Sequence, residues 1–218
     1  MFSIRFNRSA IAAFAFAVFA IAALAVPGSL SAQTPDHPAD NSAQFPSSHD
    51  LKSLTFTGSY LAAHHASVER DSKSAAEFYR SALRLEPKNG DLMDRAFISS
   101  LADGDIDEAV KLADRILTID KSNRVARLVV GVRDLKSKKY ASAQLNINQS
   151  IRGPITDLVA TLLSGWASYG AGDTKTAIAN IDKLTGPEWY PLFKDLHAGM
   201  ILELAGKEKD AGPRLERA

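Results

Sequence analysis

Residues 158–191 read LVATLLSGWASYGAGDTKTAIANIDKLTGPEWYP, and residues 192–218 read LFKDLHAGMILELAGKEKDAGPRLERA. When the second stretch is written beneath the first, the two match at a few fixed positions. Both have glycine at positions 8 and 15, alanine at position 20, and a branched aliphatic residue at position 24. The offset between the two stretches is 34 residues, which is a length typical of a helical repeat.

The same offset continues through most of the chain. Alanine occupies position 20 in five successive units, at Ala75, Ala109, Ala143, Ala177 and Ala211. Position 8 is glycine in the last three units, at Gly131, Gly165 and Gly199. Self-similarity at one fixed step predicts that a single structural unit is repeated five times along the chain.

Each unit carries the signals of two helices joined by a short turn. Glycine precedes the repeated alanine by five residues at Gly104, Gly172 and Gly206, where a helix can end in a left-handed conformation. Aspartate follows that position at Asp71, Asp105 and Asp173, where a carboxylate can cap the first N–H groups of a second helix. The pattern therefore predicts one helical hairpin per unit.

With Phe56 as position 1, the first unit places Ala63, Ala75, Tyr79, Ala82 and Pro87 at positions 8, 20, 24, 27 and 32. This arrangement resembles the tetratricopeptide repeat family. The resemblance implies an all-α, right-handed superhelical solenoid of antiparallel helix pairs, with about five repeats and the last one incomplete. The units are 56–89, 90–123, 124–157, 158–191 and 192–218.

The chain departs from the family pattern at two kinds of position. Tryptophan is missing from position 4 of every unit, and proline occupies position 32 only in the first unit. We expect small residues at positions 8 and 20 to face each other where the two helices cross. Phe97 stands at position 8 of the second unit, so we expect a looser or shifted crossing there.

The first 32 residues have the layout of a secretory signal peptide. Arg5 and Arg8 precede an unbroken apolar run over 10–26, and small residues follow up to Ala32. We expect cleavage after Ala32 and delivery of a bacterial protein to the periplasm or outside the cell. The alternative is an uncleaved segment that anchors the chain in the inner membrane, although a run of this length barely crosses a hydrocarbon core of about 30 Å.

Residues 33–50 contain three prolines and little apolar material, which predicts a flexible linker before a repeat domain over 51–218. The repeat register breaks off inside a second helix of the fifth unit. We therefore expect an N-terminal piece of a longer repeat protein, with Leu204 and Leu215 partly uncovered.

Composition and motifs argue against several function classes. A net charge of +1 does not favour nucleic-acid binding, and the absence of cysteine excludes thiolate chemistry and disulfides. Asp103, Asp105 and Asp107 are spaced like the start of a calcium loop, but glycine and glutamate are missing from the required positions. We expect no enzyme activity, no metal and no cofactor.

In the tetratricopeptide family, the first helix of each unit lines a concave groove. The groove positions of this chain begin polar and become apolar and aromatic from the third unit onward. The resemblance gives the groove-lining role to nine residues: Tyr60, His64, Leu128, Val132, Leu135, Leu162, Trp166, Tyr169 and Met200. We expect an interaction scaffold in the cell envelope that binds a protein or peptide segment, with Trp166 and Tyr169 as anchors.

Three other interpretations remain open. The apolar stripe can pack within the chain itself, since such stripes are usually core. The groove can bind unfolded exported polypeptides, as a holdase does. The chain can also be the repeat segment of a larger envelope-assembly protein. The family's carboxylate-binding mode, which uses Lys and Asn, is disfavoured because only Lys136 is present.

Overall fold

The computed structural model describes residues 55–150 and 153–218; the predicted signal peptide (1–32) and linker (33–50) lie outside this part of the chain. Ten helices and no strand occur in the described residues. In chain order they are α1 (Phe56–Val68), α2 (Ser72–Leu85), α3 (Gly90–Asp103), α4 (Ile106–Ile119), α5 (Arg124–Lys136), α6 (Tyr140–Asn148), α7 (Pro154–Gly170), α8 (Thr174–Asp182), α9 (Tyr190–Leu204) and α10 (Glu208–Leu215).

Consecutive helices pack against each other as hairpins. Helix α1 packs on α2, α5 on α6, α7 on α8, and α9 on α10. The second helix of each hairpin begins 34 residues after the previous one, at Ser72, Ile106, Tyr140, Thr174 and Glu208. The prediction of an all-α fold built from repeated helix pairs is confirmed.

The turn inside every hairpin has the same backbone geometry. Position 15 has a positive φ in all five units, at Arg70, Gly104, Lys138, Gly172 and Gly206. In each unit the next residue donates its N–H to the carbonyl of position 11, over 2.8–2.9 Å. These hydrogen bonds satisfy carbonyls that the end of the first helix leaves unpaired.

The three predicted aspartate caps are present. Asp71 accepts the N–H of Ser74 at 3.0 Å, Asp105 that of Glu108 at 3.2 Å, and Asp173 that of Thr176 at 2.9 Å. Each carboxylate satisfies a free donor in the first turn of the second helix. Sequence position alone thus located where α2, α4 and α8 begin.

Position 8 allows the two helices of a hairpin to approach closely. A Cβ atom on Gly165 would lie 2.8 Å from the side chain of Ile181, and one on Gly131 would lie equally close to Ile147. Gly199 has the same relation to Leu215. The closest neighbour of position 8 is therefore the large residue at position 24 and not the alanine at position 20. Phe97, the large exception at position 8, is fully buried.

Two first helices begin earlier than the repeat register predicts. Helix α7 begins at Pro154 and α9 at Tyr190, ahead of the unit boundaries at 158 and 192. Pro154 and Pro191 thus lie in the first turns of these helices instead of between units. Proline is well tolerated there because the first N–H groups of a helix have no partner within the helix.

The described residues divide within α4 into two compact units, one ending at Leu112 and the other beginning at Ala113. The core of the first contains Phe78, Tyr79, Leu92 and Phe97, with repeat alanines between them. The second contains two apolar clusters, one around Leu128 and Ile147 on α5 and α6 and one that joins α7, α8 and α9.

Candidate partner-binding surface

All nine residues predicted to line a groove lie on the first helices of their hairpins. Tyr60 and His64 are on α1, and Met200 is on α9. Helix α5 carries Leu128, Val132 and Leu135, and α7 carries Leu162, Trp166 and Tyr169. Their exposure and contacts differ, so the nine residues fall into four groups.

Leu128 and Leu162 belong to the core. Leu162 packs with Ala177 of α8 and Ile201 of α9, and Leu128 packs with Ile147 of α6 and Leu163 of α7. Their side chains are inaccessible to a partner in this conformation, because neighbouring helices of the same chain already cover them.

Trp166 and Tyr169 are half-buried, and their polar groups bond within the chain. The indole N–H of Trp166 donates to Nδ1 of His197 at 3.0 Å, and the hydroxyl of Tyr169 donates to the carbonyl of Leu204 at 3.1 Å. The two rings meet edge to face, with centroids 6.0 Å apart. Both side chains therefore connect α7 to α9 and are held in fixed orientations.

His197 is a functional neighbour that the sequence did not reveal. It is buried, and burial lowers the pKa of its imidazole below the ordinary value of 6.5. Since Nδ1 accepts the proton of Trp166, the imidazole is neutral. His197 stands at position 6 of its unit and Trp166 at position 9 of the preceding one, so a comparison of equal repeat positions does not pair them.

On α1, Tyr60 sits within an aromatic cluster. Its ring lies edge-on to Tyr79 at 6.2 Å between centroids, and it also contacts Phe56 and His64. His64 is exposed. The first hairpin thus presents an aromatic surface that ends in an imidazole.

Val132, Leu135 and Met200 are half-buried apolar side chains with part of their surface open. Val132 and Leu135 lie one turn apart on α5, and both rest on the cluster around Leu128. They form an apolar ledge on α5, supported from beneath by well-packed residues.

Beside this ledge lies a buried polar network that the sequence analysis did not predict. The carboxylate of Asp134, only 2% exposed, accepts hydrogen bonds from Arg133 at 2.9 Å and from the hydroxyl of Ser142 at 2.5 Å. Arg133 in turn binds Asp114 through two contacts of 2.6 and 2.8 Å. Asp134 stands at position 11 of its unit, and the residues at position 11 of the two adjacent units, Ser100 and Ser168, are also buried and polar. The 34-residue spacing could therefore have indicated a buried polar position.

The aspartates that are spaced like a calcium loop and the turn glycines have structural roles. Asp105 caps α4 and binds Arg80 at 2.7 Å, while Gly172 forms a left-handed turn. The adjacent Glu108 N–H, followed by Arg80, holds the pKa of the Asp105 carboxyl below its ordinary value. Within residues 55–150 and 153–218, no group of three or more His, Asp or Glu side chains is placed to hold a metal ion.

A second charged cluster fixes α10. Arg214 contacts Asp182 and Asp195, and Arg217 also contacts Asp195. Arg217 is the main cause of a lowered pKa at Asp195, with a further contribution from Arg214. A shallow depression of about 400 Å³ beside this cluster is lined partly by Arg214 and Arg217, whose guanidinium groups are already paired.

No protein-family model matches the chain, and none of the curated proteins searched matches it. Among the helices that the structure describes, none combines the length and apolar character needed to cross a membrane.

Proposed function

We propose that this chain is an exported, tetratricopeptide-like scaffold of the bacterial cell envelope, and that it binds an apolar segment of a protein partner without catalysing a reaction. The signal-peptide pattern of residues 1–32 supports export, and the 34-residue repeat supports the family resemblance. The half-exposed apolar ledge of Val132 and Leu135 carries the proposal of partner binding.

The ledge suits binding because it is both apolar and rigid. Its two side chains rest on a packed cluster that includes Leu128, Ala143 and Ile147, so a partner would not have to order them. Apolar contact area at a prearranged site contributes to affinity without that entropic cost. Leu128 and Leu162 have a supporting role in this proposal, since they lie beneath the surface.

Site-specific photocrosslinking tests the proposal. A benzophenone amino acid replaces Leu135 in one chain and Leu145 in a control chain; Leu145 is an exposed leucine on α6. We expect one discrete crosslinked protein in envelope extracts from the Leu135 chain, and none from the control. The same products from both chains would contradict partner binding at the ledge.

The holdase alternative has a different signature in the same experiment. A holdase should give many weak crosslinked products of varying size, and their amount should increase when unfolded exported chains accumulate. That result would indicate a general affinity for unfolded polypeptides and not a defined partner. A Val132→Glu substitution added to the Leu135 photocrosslinking chain should abolish the discrete product, because a charged side chain cannot be desolvated at an apolar contact without a large cost.

A further inference from the structure

The last described hairpin exposes apolar residues whose counterparts one unit earlier are buried. Leu158 and Leu162 on α7 are each 4% exposed, in a cluster completed by Tyr190, Ala198 and Ile201 of α9. The residues 34 positions later, Leu192 and Leu196 on α9, are 47% and 37% exposed. The two leucines that α7 presents to α9 are therefore repeated on α9, where no other helix of the described residues buries them, while Glu203 stands at the position of Tyr169.

The first described hairpin exposes the counterpart of the covering surface. Helix α9 contacts α7 through His197, which binds Trp166, and through the carbonyl of Leu204, which binds Tyr169. Four repeat periods earlier, the same positions on α1 are Leu61 and Val68, which are 61% and 66% exposed. Both are apolar, so α1 offers an apolar surface at these two positions, with Ala62 and His65 at the positions of Ala198 and Ile201.

We propose that a second copy of this chain covers α9 with its own α1, so that copies associate head to tail. The contact continues, from one molecule to the next, the packing that α9 already makes on α7. By repeat position, Met200 corresponds to Trp166 and Leu61 to His197. Leu61 of one copy therefore lies against Met200 of the next, in the place of the Trp166–His197 contact.

The two surfaces are different, so the interface is heterologous. A copy that uses its α9 surface still has an α1 surface for another copy, and association proceeds to longer chains or to closed rings. Burying Leu192 and Leu196 of one copy against Leu61 and Val68 of the other removes apolar area from water, which favours the association.

Cysteine crosslinking tests this arrangement, because the natural sequence contains no cysteine. Two chains, each expressed from the complete sequence, carry Leu61→Cys and Met200→Cys respectively. They are mixed and treated with a short bismaleimide crosslinker. The control mixture pairs Leu61→Cys with Leu145→Cys, because Leu145 is 56% exposed and belongs to neither surface.

We expect several-fold more heterodimer from the Leu61→Cys and Met200→Cys mixture than from the control mixture. A chain carrying both substitutions should give a ladder of dimers, trimers and larger species, whereas the mixture of single variants should stop at dimers. Adding Leu196→Glu to the Met200→Cys chain should reduce heterodimer to the control level with an unchanged thermal melting curve, since Leu196 is at the surface.

Three results would overturn the proposal. Equal heterodimer yields in the test and control mixtures would show random collision. Preferential linking of Met200→Cys chains to each other would show a symmetric α9 contact instead. A doubly substituted chain that forms only an internal crosslink would show that its own α1 covers α9. Partner binding at Leu135 uses a different position, so either proposal can fail without the other.

Discussion

The half-buried Trp166 and the buried His197 form a donor–acceptor pair that connects α7 to α9. The indole N–H lies 3.0 Å from Nδ1 of His197, and the two rings meet nearly at right angles with centroids 6.2 Å apart. Because an indole can only donate, the imidazole must offer an unprotonated nitrogen. The contact therefore depends on the protonation state of a single residue.

Acidification should destabilise the fold through His197. Burial lowers the pKa of its imidazole in the folded chain, while the unfolded chain retains a value near 6.5. The unfolded state thus binds more protons below pH 6.5. The stability that the neutral His197 contributes is complete above pH 6.5, and it is lost as the pH falls towards the pKa of the folded state. Urea unfolding at pH 7.5 and 5.5, followed by tryptophan fluorescence, measures the difference.

The matched variant is His197→Asn, whose amide oxygen can accept from Trp166 but does not titrate in this range. We expect this variant to lose part of the pH dependence between 7.5 and 5.5. His64→Gln serves as the control, because His64 is exposed on α1 and takes no part in the hydrogen bond with Trp166. An unchanged slope in His197→Asn would contradict the assigned role.

Gly165 should not tolerate even a methyl group. A Cβ atom there would lie 2.8 and 2.9 Å from side-chain atoms of Ile181, which is fully buried. We expect Gly165→Ala to lower the free energy of unfolding by about 1–3 kcal/mol, as overpacked cores do. Gly90→Ala is the control, since its Cβ would meet nothing within 4 Å. Chemical denaturation measures both.

The same contact allows a double-mutant test. Ile181→Val removes the terminal methyl group that lies closest to the new Cβ, so Gly165→Ala should cost less in that background than in the natural chain. Strictly additive costs would show that the two positions do not interact.

The sequence predicted the hairpins well because their signals are local. Asp105 caps a helix from within four residues, and Gly172 permits a left-handed turn at its own position. The exposure of the groove residues was not predictable in this way. Leu162 and Leu135 are both leucines on first helices, yet one is covered by α8 and α9 and the other is half-open. Their difference arises from packing between units, which no single-unit pattern records.

Lys138 occupies a backbone conformation better suited to glycine. Its φ is 61°, in the left-handed region, where three of the other four units have glycine. A residue with a Cβ atom is destabilised there by roughly 1–2 kcal/mol, partly offset by the greater freedom of glycine in the unfolded chain. We expect Lys138→Gly to raise the free energy of unfolding by about 0.5–1 kcal/mol in denaturant titrations.

The opposite substitution provides the control for this prediction. Gly104 has a φ of 85° and open space around its Cβ direction. Gly104→Ala should therefore be destabilising by about 1 kcal/mol for conformational reasons alone. If Lys138→Gly destabilised the chain, side-chain contacts of Lys138 would outweigh the backbone preference.

Removing Arg133, the cation of the buried polar network, should lower the free energy of unfolding more than the other substitutions do. Arg133 is the charged partner of Asp134, whose carboxylate is almost entirely buried. Arg133→Met would leave that carboxylate without a counter-charge, and Ser142 with the more distant Asn146 would have to satisfy its hydrogen bonding. We expect a loss of about 3 kcal/mol in the free energy of unfolding, because an uncompensated buried charge is costly. The measurement is equilibrium unfolding in urea at pH 7.5.

Lys111→Met is the matched control, since Lys111 forms an exposed ion pair with Glu108 one turn away, at 3.2 Å. Exposed pairs of this kind contribute about 0.5 kcal/mol or less, so the control should remain close to the natural chain. The double variant Arg133→Met with Asp134→Asn should recover part of the lost stability, because the neutral amide no longer requires a cation. Equal losses from Arg133→Met and Lys111→Met would show that Asp134 does not depend on Arg133. Hydrogen bonds from Ser142 and Asn146 would then be sufficient to hold a buried carboxylate between α5 and α6.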